Sequence, residues 1–335
     1  MTLAQNHRNT AFDLTKCVAA FLVVFIHYAP KDSLFDAYLN AICRIAVPLF
    51  FVITGYYYDS LRKSNKLKSY IIKIIKVTVV ASCFYLVFFI VKQYIDGRLI
   101  EWLTAVFSLR SVIKWLFFNE FPVVFHLWYL YALIYALWAN VVADRVGLTR
   151  YLPYIAIGLL IMDFLLMSDV RVSSLYVRNW ALMGFPFVIC GRFLYSKQAE
   201  IRDMNVPAWA LFLIVTVSLV LLFFERSLLQ KVNMPLRDLY ICVIPIVLSI
   251  AILSIKYPTF GSNSVFTHIG KEYSSDIYLY HVFIGIVVLS VYSNTNNVII
   301  QYFMPLLIFV ISLLFNMAVK FVKSKRYLRT FGFSR

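Results

Sequence analysis

The amino-acid sequence predicts an all-α protein in which about ten helices cross a membrane. Hydrophobic residues account for 62% of the 335 residues and charged residues for only 14%, whereas soluble domains carry about 25% charged residues. The mean hydropathy is +0.79, and the basic residues fall between long apolar segments. These observations predict a polytopic membrane helix bundle.

Ten apolar segments are each long enough to cross a hydrocarbon core of about 30 Å, which takes roughly 20 helical residues. They lie near residues 12–29, 42–58, 70–95, 122–142, 151–168, 179–195, 207–224, 238–255, 274–292 and 298–321. Segment 99–118 mixes Glu101, Arg110 and Lys114 with aromatic side chains. We therefore expect it to form an amphipathic helix on the membrane surface and not an eleventh span.

The distribution of lysine and arginine predicts the orientation of the spans. If the N-terminus is cytoplasmic, about twenty of the 32 basic residues lie in inner segments and about ten in outer ones. An excess of basic residues marks the cytoplasmic side, so we expect a multi-pass membrane protein with both termini in the cytoplasm. The net charge of +16 then reflects contact with membrane lipid and does not indicate nucleic acid.

The connections between the predicted spans are short, so we expect a single membrane domain over residues 1–335 with no soluble domain. The five cysteines are odd in number and all lie in apolar segments, where we expect reduced packing residues. They are Cys17, Cys43, Cys83, Cys190 and Cys242. Their spacing predicts no metal site.

The first predicted span carries three ionisable residues, Asp13, Lys16 and His27, in an otherwise apolar stretch. A lysine at the bilayer centre costs roughly 2.5 to 3.5 kcal/mol on insertion scales, so such residues are candidates for function. Lys16 and His27 are eleven residues apart, which in a helix is about 16 Å along the axis and about 20° around it. They therefore share one face, with Lys16 near the cytoplasmic surface and His27 in the outer half.

A cation and an imidazole at this spacing suit a long, thin, anionic ligand whose reactive end lies far from its charge. Coenzyme A fits, because its pantetheine arm extends on the order of 16 Å from the pyrophosphate to the thioester. A lipid-linked diphosphate is also long and anionic, so both ligands stay open at this point.

Four patterns recur in one order along the chain: Lys16 and His27 with ten residues between them, RIAVPLFFVITGYYY at 44–58, FHLWYLYALIY at 125–135 and SSDIYLYHVFIG at 274–285. Together they resemble the acyltransferase-3 family of bacterial inner-membrane acyltransferases, in particular its short, single-domain members that acetylate the enterobacterial common antigen. The resemblance implies transfer of an acetyl group from cytoplasmic acetyl-CoA, the co-substrate, to a hydroxyl of a surface glycan, with Lys16 and His27 essential. It also implies a coenzyme-binding R-x-x-R pair, at positions where this chain has Lys73 and Lys76.

Each of these residues has a second interpretation. Asp13 could belong to the coenzyme site or could simply pair with Lys16 at the start of the helix. Lys16 could reach the lipid headgroups, and Lys73 and Lys76 could belong to a basic connection that only sets orientation. His27 could be a hydrogen-bonded interior histidine.

Four further residues are candidates from their positions. Arg44 opens the second span on the outer side and would bind the glycan or its lipid phosphate, or anchor the interface. His126 and Trp128 begin the fourth span, where they would hold a sugar ring or belong to an aromatic belt. His281 is placed about 10 Å from the cytoplasmic end of the ninth span, where we expect it to line the coenzyme arm or brace the bundle.

The predicted reaction needs one base. An imidazole near neutral pH can take the proton of a sugar hydroxyl as it attacks the thioester, and a thiolate of pKa about 8.5 leaves without a strong acid. A transient acetyl group on His27 would use the same residue. We therefore expect an O-acetyltransferase without a metal, acting as a monomer or homo-oligomer on a surface polysaccharide or lipid-linked sugar. The rival is a transporter or flippase for a lipid-linked sugar, which the lack of an evident inverted repeat disfavours.

Overall fold

The computed structural model describes residues 8–29, 34–169, 171–292 and 298–330. Within these residues it contains fifteen α-helices and no strand, which confirms the all-α prediction. The helices are α1 (Thr10–Tyr28), α2 (Leu34–Cys43), α3 (Ala46–Lys63), α4 (Leu67–Ile95), α5 (Leu99–Val106), α6 (Leu109–Phe118), α7 (Trp128–Arg145), α8 (Leu152–Leu166), α9 (Phe185–Ser196), α10 (Gln198–Asp203), α11 (Ala208–Lys231), α12 (Val243–Lys256), α13 (Val265–Glu272), α14 (Ser274–Tyr292) and α15 (Val298–Thr330).

The described residues contain eight helical stretches that are long and apolar enough to cross a membrane. They are Thr10–Tyr28, Asp36–Lys63, Leu67–Ile95, Phe125–Arg145, Thr149–Leu166, Ala208–Lys231, Ser274–Val291 and Gln301–Lys323. Two shorter apolar stretches, Trp180–Ser196 and Val243–Lys256, coincide with the sixth and eighth predicted spans. The protein is therefore a polytopic helical membrane bundle, as the sequence predicts.

Segment 99–118 differs from the sequence-based expectation, because it forms two short helices, α5 and α6, and not one. The helices are separated at Phe107 and Ser108. The Ser108 hydroxyl accepts a hydrogen bond from the backbone N–H of Ser111 at 3.3 Å, which caps the start of α6. A serine at this position offers the backbone a cap that competes with continued helix.

The chain forms two compact units, one from Met1–Ala46 with Tyr257–Arg335 and the other from Val47–Lys256. We call them unit 1 and unit 2. The expectation of a single domain over residues 1–335 stays a prediction.

In unit 1, α1 packs against α2, α13, α14 and α15. Its buried positions include the small residues Ala19 and Ala20, and the ring of Phe21 packs edge-on against Phe309 with centroids 5.4 Å apart. The short helix α13, which the sequence analysis did not predict, approaches α1 so closely that a Cβ on Gly270 would collide with the backbone of Asp13. Small residues permit such close helix contacts in membranes.

In unit 2, α3 and α9 cross at two glycines. A Cβ on Gly55 would collide with the backbone of Val188, and a Cβ on Gly191 would collide with the backbone of Val52. Backbone atoms cannot move aside as the end of a flexible side chain can. The crossing therefore depends on the absence of a side chain at both positions.

We expect Gly191→Ala to lower the apparent melting temperature of the detergent-solubilised protein, because an added methyl group in a packed interface costs about 1 to 3 kcal/mol. Gly158→Ala is the matched control, since Gly158 also lies within a helix but has no neighbouring atom within 4 Å of an added Cβ. The control should melt at the same temperature or higher, because alanine favours helix over glycine. Equal melting of both variants would contradict the close crossing.

Candidate functional site

The N-terminal end of α1 carries a small cluster of charges. The Asp13 side chain is 2% exposed and accepts hydrogen bonds from Lys16 Nζ at 3.1 Å and from Arg8 Nη2 at 3.0 Å. The side chain of Asn9 caps the helix by accepting from the backbone N–H of Phe12 at 2.9 Å. Two cations share one carboxylate, so this end of the helix keeps a net positive charge.

The segment before α14 surrounds this end of α1. The backbone N–H of Thr10 donates to the carbonyl oxygen of Pro258 at 2.8 Å, and the hydroxyl of Thr10 reaches the same oxygen at 3.1 Å. At the far end of α13, the side chain of Lys271 holds the pKa of Glu272 below its usual range through a hydrogen bond. Lys320 in α15 lies 3.6 Å from the Glu272 carboxylate and 3.7 Å from that of Asp276.

The opposite end of α1 brings two histidines together. The rings of His27 and His281 have centroids 5.2 Å apart and are tilted by 40°. Nδ1 of the buried His281 lies 2.8 Å from the carbonyl oxygen of Tyr278 and 3.2 Å from that of Ile277. Because carbonyl oxygens only accept, Nδ1 carries the proton, and in the neutral ring Nε2 carries the lone pair.

Tyr28 holds α14 beside this pair. Its hydroxyl donates towards the carbonyl oxygens of His281 and Val282, each at 3.3 Å. A Cβ on Gly285 would collide with the Tyr28 hydroxyl, so the glycine provides the space in which the tyrosine lies.

His281, which the sequence analysis placed about 10 Å from the cytoplasmic end of its span, lies with its ring beside that of His27. The sequence analysis did not predict this adjacency, because the two residues lie in different helices. The role expected for His281, to line the coenzyme arm or brace the bundle, stays a prediction.

The other predicted residues are placed as follows. Arg44 lies in the turn between α2 and α3 and donates from Nε to the side-chain oxygen of Asn40 at 3.1 Å. In unit 2, Lys73 and Lys76 lie on the exposed face of α4. His126 is buried with its ring edge-on to Tyr85 at 5.0 Å, and Trp128 is 8% exposed. The roles predicted for these residues stay predictions.

The family model described as an acyltransferase domain matches residues 9–325, almost the whole chain. The chain belongs to this acyltransferase family. The match confirms membrane acyltransferase as the general class predicted from the sequence.

The acyltransferase is also similar to a serine/alanine racemase of Enterococcus gallinarum, with 26% identity over 267 residues. The similar region covers 72% of this chain and 36% of the racemase. The chain therefore spans about a third of the length of that relative. No solved structure matches the acyltransferase.

The sequence analysis missed a buried charge network in unit 2 of the acyltransferase. Arg192 is 5% exposed. Its guanidinium donates to Asp59 at 3.0 and 3.1 Å, to Asp144 at 2.9 Å and to the side-chain oxygen of Asn140 at 2.9 Å. The sequence shows an arginine within an apolar segment, but not its partners, because they lie 133, 48 and 52 positions away.

Asp144 is the most fully bonded carboxylate of this network. It accepts hydrogen bonds from the hydroxyls of Tyr58 and Thr149, each at 2.9 Å, and pairs with Arg62 at 2.6 Å. The network therefore joins α3, α7 and α9 through charges whose hydrogen-bonding groups are satisfied, which is a structural arrangement.

We expect Arg192→Met to destabilise the acyltransferase by about 3 to 5 kcal/mol, because it removes the cation that pairs with Asp59 and one of the two cations that pair with Asp144. Arg171→Met is the control. Arg171 is exposed, and its hydrogen bonds hold the pKa of Asp169 at about 2, but solvent screens such surface pairs. Thermal unfolding in detergent should show a large loss for Arg192→Met and no measurable change for Arg171→Met. Similar melting of the two variants would contradict a structural role for Arg192.

Proposed function

We propose that this acyltransferase moves an acetyl group from cytoplasmic acetyl-CoA to a hydroxyl of a surface polysaccharide or lipid-linked sugar at the outer side of the bacterial inner membrane. His27 is the general base. The acceptor belongs to the class used by the short members of the family, to which the enterobacterial common antigen enzymes belong.

One observation carries the proposal. A single continuous helix, α1, has a positively charged cluster around Lys16 at one end and the His27 and His281 ring pair towards the other. The separation of eleven positions between Lys16 and His27 corresponds to about 16 Å along the helix axis. The apolar residues between them give no other reason for two ionisable groups on one face.

The charged end of α1 suits the phosphates of coenzyme A. Arg8 and Lys16 together carry two positive charges against the one negative charge of Asp13, and a helix N-terminus adds a partial positive charge. In this proposal Lys16 binds phosphate as a point charge, and Asp13 orients the Lys16 side chain. The pairing of Asp13 with Lys16 therefore supports a positioning role for Asp13.

At the other end, His27 takes the proton of the acceptor hydroxyl. The hydroxyl oxygen forms a bond to the thioester carbonyl carbon, the carbon–sulfur bond breaks, and the thiolate of coenzyme A leaves. His281 is a positioning residue in this scheme. Its Nδ1 is engaged by backbone carbonyls, so its Nε2 lone pair favours the imidazolium that forms on the neighbouring His27.

We expect His27→Ala to lower the transfer of labelled acetyl from acetyl-CoA to polysaccharide by about 100-fold or more, the usual contribution of a general base. His268→Ala is the control, because His268 is exposed on α13 and has no role in the proposed step. Proteoliposomes with equal amounts of inserted protein would be compared. Full activity of His27→Ala would refute the assignment, and wild-type protein that neither binds nor consumes acetyl-CoA would favour the flippase alternative.

We expect the double variant Lys73→Ala, Lys76→Ala to raise the KM for acetyl-CoA with little change in kcat, because these lysines would contact only the coenzyme phosphates. Replacing both by arginine should preserve or lower that KM, since guanidinium binds phosphate with two hydrogen bonds. Lys68→Ala is the control on the same helix, where Lys68 is also exposed. An equal change in KM for the control would show a general effect of basic surface charge and no specific coenzyme contact.

A further inference from the structure

Asp163 in α8 is fully buried, and its side chain makes no hydrogen bond with the described residues. Its exposed fraction is 0%, and in the part of the chain that the structure describes neither carboxylate oxygen has a hydrogen-bond partner. Asp163 lies within a stretch long and apolar enough to span a membrane. A buried polar group without a hydrogen bond is costly, so an aspartate retained here calls for an explanation that packing does not supply.

Arg237 lies beside it with an unsatisfied donor. The guanidinium Nη2 of Arg237 donates to the carbonyl oxygen of Met167 at 3.1 Å, one turn beyond Asp163, and Arg237 is close enough to act electrostatically on the Asp163 carboxyl. Its Nε is buried and lacks a hydrogen-bond partner among the described residues. An orphaned donor and two orphaned acceptors thus lie at the same end of α8.

The second carboxylate of this region is already engaged. Asp238 pairs with Arg178 at 3.4 Å. The Arg178 guanidinium lies 3.8 Å above the ring of Phe125 and 5.7 Å from that of Trp128. Arg178 is thus held in place by an ion pair and two aromatic rings. Because Asp238 is engaged with Arg178, Asp163 is the carboxylate of this region whose hydrogen-bonding capacity is unused.

All these residues belong to unit 2, and they lie where its helices begin or end. Asp163 is three residues before the end of α8, Arg178 precedes α9, Arg237 and Asp238 precede α12, and Trp128 opens α7. On the orientation predicted from the basic residues, these are the outer ends of the spans. Trp128 is one of the residues that the sequence predicts to hold a sugar ring.

The presence of both basic and acidic side chains limits the chemical class of ligand that can bind here. Arg237 and Arg178 would repel a small cation, and Asp238 would repel an anion. A hydroxyl group both donates and accepts, so a ligand with adjacent hydroxyls can donate to the Asp163 oxygens and accept from Arg237 Nε.

We propose that Asp163 and Arg237 form an acceptor subsite that binds neighbouring hydroxyls of a neutral sugar ring. This subsite rests on the proposed function, in which a sugar hydroxyl receives the acetyl group. Asp163 takes no part in the acetyl transfer itself.

If Asp163 binds the acceptor, its replacement should weaken acceptor binding without lowering the melting temperature. Replacement of a residue with only a structural role would not have both effects. Asp163→Leu removes the unsatisfied carboxylate, so the protein should melt at the same temperature as wild type or higher, as is common when a binding residue is replaced. The KM for the acceptor should rise about tenfold, the loss expected for one hydrogen bond. The KM for acetyl-CoA and its hydrolysis without acceptor should not change.

The measurement uses the full-length protein in nanodiscs, with surface polysaccharide prepared from cells that lack this protein. Asp163→Asn serves as a second variant that keeps the shape of the side chain and should also raise the acceptor KM. Asp169→Asn is the control, because Asp169 lies outside α8 in an exposed pair with Arg171; it should leave the acceptor KM unchanged.

The subsite would be overturned by a lower melting temperature of both Asp163 variants, by an unchanged acceptor KM, or by an equal rise of both KM values. Protection of the wild type from heat by L-serine, absent in Asp163→Asn, would assign the cluster to a zwitterion and also overturn it. If the wild type transfers no acetyl group, the proposed function fails. The subsite would then stand only if the polysaccharide protects the wild type, and not Asp163→Leu, from thermal unfolding.

Discussion

The contact between α13 and α1 at Gly270 determines the arrangement of unit 1. Because a side chain at this position would collide with the backbone of Asp13, the two helices approach as closely as backbones allow. The chain then enters α14 directly after α13, and α14 also packs against α1. The contact between the His27 and His281 rings is made within this packing of α13 and α14 on α1.

Unit 2 contains two buried sites with ionisable side chains, and they differ in whether hydrogen-bond partners offset the cost of burial. Arg192 has carboxylate and amide partners for its guanidinium, and Asp144 accepts from several donors. Asp163 is equally buried but its oxygens lack partners among the described residues. The physical cost of burial is similar for both. The difference in partners separates a group that holds helices together from one that is available to a ligand.

Much of the fold was predictable because membrane helices satisfy their backbone hydrogen bonds within one segment. Apolar length alone therefore located the ten segments, and each coincides with helix. The expectation for segment 99–118 was less accurate because a single serine cap divides it. The helix α13 was missed because its eight residues carry no long apolar run.

The sequence by itself determined the membrane fold, through the length of its apolar segments, and the common face of Lys16 and His27, because helical periodicity relates residues of one segment. The acyltransferase family was indicated by the resemblance of four sequence patterns to that family. Only the tertiary structure decided that His281 lies beside His27, that Arg192 joins Asp59 and Asp144, and that Arg237 lies beside Asp163. These pairs are 254, 133, 48 and 74 positions apart. Contacts between segments follow from how closely helices pack and where each begins, and neither quantity is contained in the hydropathy of a single segment.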